Sequence, residues 1–148
     1  MNKKEIKLYN VIFPFWFLLL IPWIWLAIFP ANFLIDSAIL LLCLCIFKIE
    51  NKKQFYKKHI LKIFAFGMLA DIIGALVMFA QLYAHLFNDG DELLLTVPAL
   101  VIAAALIFVF DYFISFRKCE KNLRLKLSLV FAIVTAPYTY LIPTSWMY

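Results

Sequence analysis

Lys48–Phe87 reads KIENKKQFYKKHILKIFAFGMLADIIGALVMFAQLYAHLF. Lys48, Lys52, Lys53, Lys57, Lys58 and Lys62 fill its first part, and from Ile63 through Phe116 the chain has no Lys or Arg. A dense basic cluster that stops where a long apolar run starts marks a water–membrane boundary. The rest of the chain repeats the arrangement. Lys3, Lys4 and Lys7 precede the first apolar run, Arg117, Lys118, Lys121, Arg124 and Lys126 precede the last, and together the three clusters hold all 14 Lys and Arg.

Composition agrees. The 148 residues are 66% hydrophobic and 16% charged, with a mean hydropathy of +0.94. A soluble domain is roughly half apolar and about a quarter charged, and a chain this small cannot hide the excess in a core. An all-α, polytopic membrane helix bundle is expected, forming one integral membrane domain over residues 1–148. The formal charge of +5 does not imply nucleic acid, because the basic residues flank apolar runs and no nucleic-acid motif accompanies them. Their expected partner is membrane lipid.

About 20 apolar residues cross a bilayer. Five segments qualify in this reading: about residues 11–29, 31–47, 60–87, 93–116 and 127–142. Alternating the compartments leaves every basic cluster on one side, with the amino terminus cytoplasmic and the carboxyl terminus outside. The first run is too long for a signal-peptide core and lacks a small-residue cleavage site, so it reads as a retained span. Pro30-Ala31-Asn32 reads as the turn between spans one and two, and Asn88-Asp89-Gly90-Asp91-Glu92 as a solvated turn. Pro14 and Pro22 should bend span one, and Trp23 and Trp25 suit its outer interface. High Lys, Asn, Ile and Phe usage suits a bacterium with an AT-rich genome, so a multi-pass protein of a bacterial inner membrane is expected.

Three cysteines provide no disulfide framework. Cys43 and Cys45 read as apolar filler, and neither a metal site nor a cofactor motif is present. His59, among lysines, reads as solvated. Asp36 reads as a headgroup-level residue near the outer end of span two, on one face with Asn32 and Cys43.

Asp71 and Asp111 are different, because charged groups at membrane depth are costly and face protein or a watery cavity. On a helical wheel Gly67, Gly74, Met78, Gln81 and His85 lie within about 80° of Asp71, a stripe that would let a neighbouring helix approach closely. Asp111 shares its face with Leu100, Ala104, Ile107 and Ser115. The two aspartates lie roughly 13 and 9 Å inside the basic boundary at about 1.5 Å per residue, so they could converge on one site. Two such carboxylates cannot both carry charge cheaply, which suits proton exchange or cation binding. Thr135 and Tyr138, beside Pro137, form a polar stripe that could wall the same cavity.

Three functions compete. The candidate set Asp71, Asp111, Gly67, Gly74, Gln81, His85, Thr135 and Tyr138 favours a proton- or cation-linked transporter of small solutes, or a subunit of one. So few spans call for a homo-oligomer or a membrane-protein partner. The alternative is a non-catalytic accessory, immunity or regulatory protein. An intramembrane aspartate-dependent hydrolase ranks third, because no hydrolase motif such as Gly-x-Ser-x-Gly or His-Glu-x-x-His accompanies the carboxylates.

Overall fold

The computed structural model describes residues 21–83 and 92–141, and it is all-helical there. Helix α1 spans Pro22–Ile46, α2 Lys52–Tyr83, α3 Glu92–Phe110 and α4 Lys121–Val134. A π-helical turn, Asp111–Ser115, extends α3, and a 3₁₀ turn, Tyr138–Leu141, follows α4. Among the described residues three helices are long and apolar enough to cross a membrane: Pro22–Ile46, Lys52–Gln81 and Thr96–Ser115. Large apolar side chains point outward from every helix, among them Trp23, Leu34, Leu61, Leu76, Val101 and Ile133. On helices long enough to cross a bilayer, such a surface suits an apolar solvent.

The expected turn at Pro30-Ala31-Asn32 is absent, because α1 runs straight through it. Proline removes one N–H from the ladder, and within hydrocarbon a helix tolerates that more readily than a turn, which would expose several unpaired backbone groups. Pro22 takes the first turn of α1, where its missing N–H costs nothing. The two segments expected at 11–29 and 31–47 therefore meet in one 25-residue helix. Without that turn, the alternation that placed the amino terminus and counted five crossings loses its first step. Residues 1–20, 84–91 and 142–148, with Lys3, Lys4, Lys7, Pro14, His85 and the turn at Asn88–Asp91, lie outside the described residues.

Helix α1 ends in a Schellman motif. The Ile49 amide donates to the Leu44 carbonyl at 3.2 Å and the Lys48 amide to the Cys45 carbonyl at 3.4 Å. Lys48 takes the left-handed conformation at φ 50°, a place glycine usually fills. The chain then reverses into α2, which packs on both α1 and α3, while α4 packs on α3 and lightly on α1. The main core lies toward the basic end and includes Leu40, Leu44, Ile63, Ile107, Phe116, Leu127 and Phe131. A smaller cluster of Met78, Ala99 and Tyr140 lies farther along.

Both described basic segments sit at this same end. The His59 ring, expected in solvent, is buried instead. Its Nδ1 lies 2.7 Å from the Ser115 carbonyl, and the ring packs against Phe55 and Phe116 at centroid distances of 4.3 and 5.5 Å. That carbonyl lies at the end of the π turn, where no further helical amide is available, so His59 fastens the start of α2 to the end of α3. Lys126 approaches the Phe47 ring at 5.9 Å, tying α4 to the first basic loop.

Helix α4 is short. It stops at Val134, where Thr135 caps it and the Thr135 hydroxyl donates to the Phe131 carbonyl at 2.7 Å. The expected helix over 127–142 is thus broken in its second half, because Pro137 lacks the amide that would continue the ladder. Fourteen residues rise only about 21 Å, short of the roughly 30 Å apolar core. Beyond Val134 the chain continues as the 3₁₀ turn along α3, and the Tyr140 hydroxyl donates to the Asp71 backbone carbonyl at 2.6 Å.

Candidate functional site

The early end of α4 leaves a space between the outer half of α1 and the polar stretch that follows Val134. A cavity of about 470 Å³ fills it. Ile24, Ile28 and Ile35 form much of the α1 wall, Thr135, Pro137 and Tyr138 stand opposite, and Asn32, Asp36, Gly67 and Asp71 provide the polar and small surface. No Lys, Arg or His lines it among the described residues.

Asn32 links the two carboxylate-bearing helices. Its Nδ2 donates to Met68 Sδ at 3.1 Å and reaches Asp71 Oδ2 at 3.5 Å. The other carboxylate oxygen of Asp71, Oδ1, is buried without a hydrogen-bond partner. Asp36, one helical turn beyond Asn32, is 7% exposed. It stands against Gly67, where a Cβ would come within 3.9 Å of Asp36 Oδ2. A larger side chain at position 67 would narrow the space between the helices.

Asp111 is buried in the π turn, with Oδ2 unpartnered. It does not line the cavity, although Ile107, one turn earlier, does. Asp71 and Asp111, the two aspartates that the depth argument singled out, therefore do not share the cavity. The pair that shares the cavity is Asp36 and Asp71.

The sequence reading missed Asp36 as a site residue, and the cause was the turn assigned to Pro30. With a break there, Asp36 starts a new span near the outer surface. In the continuous helix it lies ten residues from Ile46, roughly 15 Å in, level with Asp71. The i, i+4 step from Asn32 to Asp36 was the available signal.

The remaining candidates separate by depth. Gly74 is buried in a tight contact: a Cβ would meet the Tyr140 hydroxyl at 3.0 Å and Ala103 Cβ at 3.1 Å. It is a packing residue, one turn from the cavity. Gln81 lies still farther out, half-buried, with Oε1 unpartnered. Thr135 and Tyr138 do wall the cavity, but the hydroxyls of both are engaged by carbonyls, Phe131 for Thr135 and Ile133 for Tyr138. They contribute surface rather than free donors.

Chemically, the arrangement holds two carboxylates in a largely apolar enclosure with no compensating cationic side chain among the described residues. Such groups become neutral by taking a proton, or stay charged by holding a cation. No group of three or more His, Cys, Asp and Glu is arranged to hold a metal ion among the described residues. The chain matches no protein-family model, no curated protein and no solved structure.

Proposed function

We propose that this chain is a multi-pass membrane protein that takes a proton or a small monovalent cation, including a protonated amine, at Asp71 and Asp36, and that it serves as a transporter of small solutes or as a subunit of one. The observation that carries this reading is the unpartnered Asp71 oxygen beside a second carboxylate, Asp36, in a cavity that no basic residue lines among the described residues. The apolar walls favour a weakly hydrated guest over a strongly hydrated divalent ion. In this proposal the basic end of the bundle, residues 47–62 and 116–126, faces the cytoplasm of a cell membrane, as the charge bias supports. Helices α1, α2 and α3 each cross, and α4 with the turn after it completes a fourth passage.

The test uses a hydrophobic carbodiimide, which modifies protonated membrane carboxyls, on the purified full chain with modification mapped by mass spectrometry. Labelling at Asp71 or Asp36 is expected, with one class among Na⁺, K⁺, Li⁺ and small amines suppressing it. Asp71→Asn keeps the side-chain shape and should retain most stability while losing the cation-dependent rise in Tm. If no cation alters labelling, and Asp71→Asn and Asp36→Asn respond to cations as the parent does, the proposal fails.

A further inference from the structure

A second pocket, separate from the carboxylate cavity, lies at the basic end between the first turns of α2 and the end of α3. Its volume is about 260 Å³. Four cationic side chains line it: Lys58 and Lys62 from α2, and Arg117 and Lys118 from the loop after the π turn. Lys58 and Lys62 are one helical turn apart, so they project from the same side of α2. No carboxylate lines the pocket among the described residues.

The pocket floor is built rather than incidental. His59 and Ser115 both line it, and their contact at 2.7 Å joins its two walls. Phe113 and Ile114 complete the lining and are 60% and 39% exposed. Cations and exposed apolar side chains therefore line one pocket together, at the level where the lysine cluster gives way to the apolar run.

That combination of chemistry matches an amphiphile. The geometry points to a binding site for an anionic phospholipid, with its phosphate held by Lys58, Lys62, Arg117 and Lys118 and its acyl chains lying along Phe113 and Ile114. A soluble phosphate would use the cations and leave the apolar side chains without a role. Basic pockets between spans on the cytoplasmic side recognise anionic headgroups through the same combination of charges. Arg117 adds a planar fork that can meet two phosphate oxygens at once.

The test is native mass spectrometry of the full chain released from mixed micelles. These contain equal amounts of a glycerol-headgroup anionic lipid and a choline-headgroup zwitterionic lipid with identical acyl chains. The parent should retain the anionic lipid at least tenfold over the zwitterionic one. Replacing Lys58, Lys62, Arg117 and Lys118 together by Gln should bring that ratio close to one. All four are exposed, so the variant should unfold at nearly the parent temperature. A control with Lys52, Lys53, Lys57 and Lys121 changed to Gln loses the same charge outside the pocket and should keep the preference. Equal losses in the two variants would mean a diffuse charge effect and overturn the site. Displacement of the lipid by inorganic phosphate alone would show that the anion needs no acyl chain, and would also overturn it.

Discussion

At the residue scale, the two glycines of α2 illustrate how one residue type serves two purposes. Gly74 is compressed between Ala103 and Tyr140, whereas Gly67 faces the carboxylate cavity with room for a methyl group. Gly74→Ala should destabilise the protein by about 1–3 kcal/mol, the usual cost of an added methyl in a tight core. Gly67→Ala should be neutral or slightly stabilising, since alanine is the better helix former. Denaturant titration in detergent checks the contrast. Equal effects would mean that the Tyr140 segment does not rest on α2. The stripe of small and polar residues on α2 was legible from helical spacing alone. The different crowding at its two glycines was not, because it depends on Ala103 and Tyr140, which are remote in sequence.

At the element scale, α1 carries the largest departure from the sequence reading. A proline followed by small and polar residues resembles a turn when the local signals are weighed by themselves. In the structure the buried face of α1 runs through Asp36, Ile39, Leu40, Cys43 and Leu44, and Asn32 continues it one turn earlier. Pro30→Ala therefore restores one backbone hydrogen bond in an unbroken helix. The expected gain is about 1–3 kcal/mol, the upper end being the usual penalty for an interior proline. The unfolding midpoint in detergent measures it, and a loss of stability would favour a turn at this position. Helix α4 shows the opposite behaviour. It stops at Val134, and its break at Thr135-Ala136-Pro137 lines the cavity.

At the scale of the whole molecule, the two described basic segments gather at one end of the bundle. Cys119 lies there, in the loop between the π turn and α4. In a Cys43→Ala, Cys45→Ala background it reports on that end alone. A membrane-impermeant maleimide should label it only when the cytoplasmic face is accessible. Burial pushes the Cys119 thiol above its ordinary range, and nearby Lys58 and Arg124 oppose the shift only in part. The thiolate is the reacting form, so labelling should be slow near neutrality and accelerate as pH rises through and beyond the usual thiol range. Labelling from the opposite face would invert the orientation proposed for the bundle. A pH-independent rate would mean that the loop is more open than its packing indicates.

Sequence by itself pointed to an apolar solvent for this protein and to a shared level for the basic segments 48–62 and 117–126. Both are one-dimensional properties, because the length of an apolar run and the positions of lysines along it do not depend on neighbours. It also singled out Asp71, since an acidic residue amid apolar ones is costly wherever the chain places it. Only the tertiary structure decided which carboxylate joins Asp71. That choice depends on whether the backbone continues through Pro30 and on where α4 stops, and both are settled by the packing of distant helices against one another. Asp36 belongs to the site because a neighbouring helix brings its Asp71 to the same depth.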